Sequence, residues 1–402
     1  MTNSCGQEKA FDRRQWQEGF DLLCLCLNEQ VDDRDVIDAI SRVTRWDLFL
    51  QQMGWHRVMT LVWQRLSALH SYLPEAVATS LKDGTRTVAL KALNHARELS
   101  RICQCFEKVR VDFLVLKGLP LSCILYGNLG TRFSRDIDIL IRNVDVARVH
   151  EELLAMGYER IIPRAEFSDA SSRYYDRFYK DFIYRNNSTG VTLELHWRLT
   201  ENPYLLSTDK FDPFQHCTVC QVSGIGMPVM EAEYNALYII VHAAKSHWAR
   251  LSWLSDVAGL MQQPLDWCRI HDLARENGIS DIVWVSIQTA HRLLGAPLPG
   301  VFSESVYKPS IPGRVLLMWA LNTLKESCYP GELACRFQYL LFSRRLRFVS
   351  HHVVYRMALS LNDVALFALP RRLFFLYIFM RPVLWAWRRI LPQYKDQVGF
   401  QR

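Results

Sequence analysis

The sequence predicts an α+β fold in which a small sheet-bearing core lies between two extensive helical regions. Three observations predict it. Apolar residues recur at helical spacing from Asp32 to Arg110, the period shortens to two around Asp136–Ile141 and Val191–Trp197, and helical spacing returns beyond Glu231. The expected divisions are therefore 1–110, 111–230 and 231–402. A chain of 402 residues that is 50% hydrophobic and 22% charged can bury a large core, and it lacks the composition of disorder. No repeat period stands out.

In the first region Val36, Ile37, Ile40 and Val43, then Leu48, Leu50 and Met53, then Val58, Leu61, Val62 and Leu66 mark successive helices. Ala89 to Val109 reads as one long helix with Leu90, Leu93, Ala96, Leu99, Ile102 and Phe106 facing inward. Phe113-Leu-Val-Leu116 is a short buried strand running into a tight turn at Lys117-Gly118-Leu-Pro120 and a helix over Leu121–Tyr126. Asp136-Ile-Asp-Ile-Leu-Ile141 is a strand with both acids and Leu140 on one face. Val144 to Met156 is a helix ended by Gly157, with Val149, Leu153 and Met156 inward. In Val191–Trp197 the alternation places Thr192, Glu194 and His196 opposite Val191, Leu193 and Leu195. Helices over Tyr234–Lys245, Leu251–Met261, Trp267–Glu276 and Ile282–Leu294 follow.

The apolar, aromatic stretch Leu373 to Trp387 is interrupted by Arg381-Pro382, leaving halves short of the ~20 residues that cross a bilayer. A core helix or protein contact is the expected role of residues 373–390, with peripheral membrane contact as the alternative because Arg371, Arg372, Arg388 and Arg389 flank it. Met1 to Asp12 is polar without the apolar centre of a secretory signal, so a cytoplasmic location with reduced cysteines is expected. His216, Cys217 and Cys220, with Cys268 and His271, have the residue types of a zinc site, but the long gap makes core and surface thiols the simpler reading. The net charge of +7 suits a polyanionic substrate without requiring one.

Two carboxylates one residue apart on a strand project side by side and can hold one or two Mg²⁺ (or Mn²⁺) ions against a triphosphate. Asp136 and Asp138 have that spacing, inside a strand of otherwise apolar residues where ionised carboxylates are costly unless compensated. Glu194, on a strand able to lie beside them, is the expected third catalytic and metal ligand, with His196 on the same face as an expected nucleotide-binding residue. Lys117-Gly118 offers a cation, backbone amides and a helix start to phosphate oxygens, and Arg132 and Arg135, just ahead of the acids, are expected to reach the same phosphates, with anchoring of the loop by pairing with the acidic strand as the alternative. Downstream, His242 and Lys245 lie one turn apart and are expected to face the nucleotide, with a structural histidine beside a solvated lysine as the alternative. Asp256 is expected to brace that wall through an ion pair, and Trp197 and Trp253 to belong to the core.

The runs Phe113-Leu-Val-Leu-Lys-Gly118, Leu125-Tyr-Gly127, Arg132-Phe-Ser-Arg-Asp-Ile-Asp-Ile-Leu-Ile141 and Met156-Gly-Tyr158 carry a resemblance to the uncharacterised nucleotidyltransferase family of the DNA polymerase beta superfamily. Trp55-His-Arg-Val58, Glu194-Leu-His-Trp-Arg-Leu199, His242-Ala-Ala-Lys245 with Trp248, Leu251, Trp253, Leu254 and Asp256, and Tyr377 to Leu384 extend it over roughly Asp32 to Ile390. Leu119 and Pro120 depart from the wider superfamily, which carries a second Gly or Ser after the glycine of this loop. The resemblance implies a polymerase-beta-like core with a small mixed sheet, a carboxylate metal centre, and transfer of a nucleoside monophosphate from a nucleoside triphosphate such as ATP. The acceptor, whether small molecule, RNA or protein, is not legible, and sequence-specific DNA binding is not expected. The same pattern is also similar to nucleotidyltransferase toxins of abortive-infection systems. A catalytically silent nucleotide- or partner-binding scaffold is the alternative from another class.

Overall fold

The computed structural model describes residues 13–163, 175, 179–207, 212–357 and 380. The stretch Leu373 to Trp387 therefore lies outside the described residues apart from Met380. Among the described residues no helix is long and apolar enough to cross a membrane.

Four helices, α1 (Arg13–Leu27), α2 (Asp33–Arg42), α3 (Trp46–His56) and α4 (Met59–Leu66), lead through a short 3₁₀ turn into α5 (Glu75–Lys108). The last is longer than its sequence pattern suggests, and its buried row differs: Ala92, His95, Leu99, Ile102 and Phe106 face inward, while Leu90 and Leu93 are 59% and 60% exposed. Spacings of three and four along that row keep it on one stripe of a straight helix, and Leu90 and Leu93 fall off it.

The sheet order is β1-β2-β5-β4-β3, with β1 (Phe113–Val115), β2 (Ile137–Ile141), β3 (Tyr158–Ile162), β4 (Asp181–Asn186) and β5 (Thr192–His196). Only the β2–β5 pair is parallel, so the sheet is mixed. Helix α6 (Leu119–Tyr126) follows β1, and α7 (Val146–Ala155) follows β2. A separate hairpin of β6 (Cys217–Val222) and β7 (Ile225–Met230) packs beside β1. Then come α8 (Ala232–Lys245), α9 (Leu251–Met261), α10 (Trp267–Asn277), α11 (Ser280–Leu294), α12 (Ile311–Glu326), α13 (Glu332–Leu340) and α14 (Leu346–Met357).

The strand alternation sorts side chains between two cores. Ile137, Ile139 and Ile141 of β2, with Leu193 and Leu195 of β5, pack with Leu99, Ile102 and Phe106 of α5 and Val149 and Leu153 of α7. Leu114 and Leu140 turn the other way, into a larger cluster shared by α1–α4 and α8–α12. Because side chains alternate across a strand, Asp138 and Glu194 are carried on the face opposite the α5–α7 core, toward the helices.

Candidate functional site

The parallel register sets Asp138 opposite Glu194 and Leu140 opposite His196. These side chains open into a cleft of about 550 Å³ between the sheet, α8 and the C-terminal helices. Of the residues singled out in the sequence, Lys117, Arg135, Asp136, Asp138, Glu194, His196, His242 and Lys245 line it, whereas Gly118 and Arg132 do not.

Asp138 is fully buried, and its Oδ1 lies 3.1 Å from the Lys117 Nζ and 3.2 Å from the His196 Nε2. Its Oδ2 is buried with no hydrogen-bond partner among the described residues. Burial alone would raise the Asp138 carboxyl, but the Lys117 ammonium and the His196 hydrogen bond outweigh it and hold it below the usual carboxylate range. Glu194 behaves alike: burial would raise it, while the hydrogen bond with His196 and the charges of Lys180 and Lys117 hold it low. Lys117 in turn is raised against its burial by Asp138, Asp136 and Glu194. The His196 Nε2 is 3.4 Å from Glu194 Oε2, and its Nδ1 is 3.2 Å from the Lys180 Nζ. Burial and Lys180 lower His196, but its bonds to the two carboxylates raise it overall.

Donor atoms of Asp138, Glu194 and His196 lie within 4.8 Å of one another, a group able to hold a metal ion. Two carboxylates and an imidazole, one carboxylate oxygen having no other partner, fit a divalent cation. This differs from the expected set. Asp136 precedes β2, with its Oδ1 3.9 Å from Lys117 and its Oδ2 3.4 Å from Arg135, and it stands outside the group that His196 completes.

The Lys117-Gly118 turn is tied to β2 by the Leu116 N–H, which donates to the Asp138 carbonyl at 3.1 Å. Gly118 takes φ +76°, a region that favours glycine, and starts α6 with Pro120 in its first turn. Arg132, expected among phosphate ligands, instead engages Asp256 of α9 through Nε at 2.8 Å and Nη2 at 2.9 Å. The pair fixes the loop before β2 to α9, so the ion pair expected of Asp256 forms with Arg132 of that loop and not within the His242–Lys245 wall. Arg135 is exposed at the mouth.

From α8, Lys245 pairs with Glu201, and His242 presents an imidazole that burial, then Lys117 and Lys245, keep well below its ordinary value. Tyr238 lines the cleft one turn before His242. Trp253, expected in the core, lines the cleft too, 6.5 Å from Tyr329 and 6.0 Å from the His242 ring. Trp197 is buried as expected. Sequence reading gave no site role to Lys180 and Arg57, which adjoin the ends of β4 and α3, or to Glu201 in the loop after β5, since no periodic signal marks single polar residues there. The cysteines and histidines with zinc-like spacing form no such cluster among the described residues, and His216 lies 3.5 Å from Glu231.

A family model described as an uncharacterised nucleotidyltransferase matches residues 43–295, which spans α3 to the end of α11 and takes in every cleft residue named in the sequence. No curated protein matches the chain.

Proposed function

The chain belongs to this uncharacterised nucleotidyltransferase family, and on that premise we propose that it moves a nucleoside monophosphate from a nucleoside triphosphate to an acceptor, with Mg²⁺ or Mn²⁺ held by Asp138, Glu194 and His196. The observation that carries this reading is the buried, unpartnered Oδ2 of Asp138 beside a second carboxylate and an imidazole in a cleft walled by cations. When bound, a divalent cation supplies charge neutralisation at the phosphates. The mixed sheet, entered through a strand and a Lys-Gly turn, supports reading the core as polymerase-beta-like.

In the proposed reaction the oxygen of an acceptor hydroxyl bonds to the α-phosphorus as its proton passes to water, the bond from the α-phosphorus to the bridging oxygen breaks, and pyrophosphate leaves with the electron pair. The residues of the chain serve mainly to position and to compensate charge, as phosphoryl chemistry requires. Lys117 holds Asp138 ionised and oriented, and its ammonium also lies 3.9 Å from Asp136. Lys180 does the same for Glu194 from the other side of His196. His242, kept neutral, is suited to accept a hydrogen bond from an acceptor hydroxyl.

The test is incubation of the purified chain with Mg²⁺ or Mn²⁺ and each α-labelled triphosphate, with Asp138→Asn and Glu194→Gln as controls. Label transfer lost in both variants is expected. Transfer at the wild-type rate in both would remove the assigned roles.

A further inference from the structure

Arg57 lines the cleft, yet no carboxylate lies within ion-pair distance of it among the described residues. It sits just past the end of α3 at φ +58°, a left-handed conformation that a non-glycine residue adopts at a cost. Its guanidinium is 5.3 Å from the centre of the Phe133 ring, and the Lys91 ammonium of α5 is 4.9 Å from the same centre. Two cations thus share one aromatic ring that belongs to the loop leading to Asp136. Arg135, two residues beyond Phe133, adds a third, 57% exposed and 3.4 Å from Asp136.

The three cations oppose one another. Burial pushes Arg57 down to about 10, Arg250 and Arg135 push the same way, and Asp136 only partly offsets them. Lys91 is likewise lowered by burial, while Asp136 pulls it up and Arg57 and Arg135 push it down. Like charges gathered around a single carboxylate store unfavourable energy that an anion relieves. Planar guanidinium forks at a cleft mouth match the oxygens of a phosphate chain in particular.

We propose that Arg57 and Arg135, supported by Lys91 across the Phe133 ring, form the seat for the β- and γ-phosphates of the donor and for the departing pyrophosphate. This rests on the nucleotidyl-transfer reading. It gives the triphosphate tail a place at the mouth, leaving the carboxylate cluster for the α-phosphate and the deeper cleft for the acceptor. It also assigns to Arg57 a role that Arg132, committed to Asp256, does not fill.

Binding of magnesium tripolyphosphate to the full chain, followed by calorimetry, tests the seat without knowledge of the base or acceptor. Arg57→Gln and Arg135→Gln are each expected to weaken binding about tenfold, and Lys91→Gln about threefold, as for loss of charged hydrogen bonds and of a nearby charge. Arg57→Lys should lose less than Arg57→Gln, and Arg42→Gln, on exposed α2, should change nothing. If Arg57→Gln fails to fold, Arg135→Gln at its exposed position carries the test. No binding by the wild type, or undiminished binding by the Arg57 and Arg135 variants, would overturn the seat. Label transfer by those variants with an unchanged KM for the triphosphate would also overturn it while leaving the proposed function standing. Arginine-dependent tripolyphosphate binding without any nucleotidyl transfer would uphold the anion seat and remove the reading on which the donor's identity rests.

Discussion

Donor atoms of His196 gather with those of Asp138 and Glu194, while Asp136 lies 3.9 Å from Lys117 and 3.4 Å from Arg135, and the share of each in holding a metal is measurable. A ligand two residues along β5 from Glu194 shares its face, so His196 completes the donor group with Asp138 and Glu194, while Asp136 turns to Lys117 and Arg135. His196→Ala is expected to lower Mn²⁺ affinity at least tenfold, as read by electron paramagnetic resonance of free Mn²⁺, with a smaller loss for Asp136→Asn. The reverse order would restore the set suggested by the Asp-x-Asp spacing. Arg132 and Asp256 make a second residue-scale case. Asp256 is buried and the Arg132 side chain is 9% exposed, and each is the other's compensating charge. Removing one partner leaves a bare charge in the core, which costs about 3–5 kcal/mol, whereas removing both leaves none. Arg132→Leu and Asp256→Leu are therefore expected to destabilise strongly alone and to sum to more than the double variant in urea unfolding. Additive losses would mean that the pair is not coupled.

At the scale of elements, the hairpin β6–β7 shows what a sequence pattern can carry unnoticed. Ser223 and Gly224 take φ +51° and +80°, the two left-handed positions of a type I′ turn, and the registered pairs run from Val222–Ile225 to Cys217–Met230. An added Cβ at Gly224 would meet nothing within 4 Å, so its substitution tests backbone conformation alone. Gly224→Ala is expected to cost about 1–2 kcal/mol in urea unfolding, and Gly300→Ala, also in open space, close to nothing. Equal effects would show that the turn conformation is not what matters. The strands β2 and β5 were legible because apolar residues alternate with acids that a buried face does not otherwise tolerate. Helices α8 to α11 were legible from their spacing to within about two residues at each end. The strands β3 and β4 were not, since Tyr158-Glu-Arg-Ile-Ile162 mixes exposed charges with apolar residues and pairs only through long-range contact. The cleft was legible in its acids, whose burial is anomalous, and illegible in Arg57 and Lys180, whose meaning comes from neighbours distant in the chain.

Across the whole molecule, one hydrophobic cluster joins Phe20, Val36 and Phe49 near the start to Ile239, Val283 and Leu316 far beyond the sheet. His56 ties the same parts together with polar bonds. Its Nδ1 accepts from the Leu251 N–H at the start of α9, and its Nε2 lies 2.8 Å from the Ser327 hydroxyl after α12. With Nδ1 accepting, the ring proton sits on Nε2 and the imidazole is neutral, capping one helix while reaching past the end of another. Burial, then Arg250, pushes His56 from 6.5 down to about 3. His95 is moved the same way, chiefly by burial and then by Lys91, down to about 4. Below the unfolded value near 6.5 the unfolded chain takes up protons that the folded chain refuses. Their stabilising share is thus complete above that pH and is lost as pH falls toward 3 to 4. Each such histidine steepens the fall by about 1.4 kcal/mol per pH unit within that window. Urea unfolding of the wild type is expected to weaken steadily between pH 6.5 and 4.5, and more shallowly in His56→Gln, although that variant starts from a less stable fold at neutral pH. Parallel slopes for the two proteins would mean that the proton taken up on acid unfolding does not belong to the histidine joining the two helical ends of the chain.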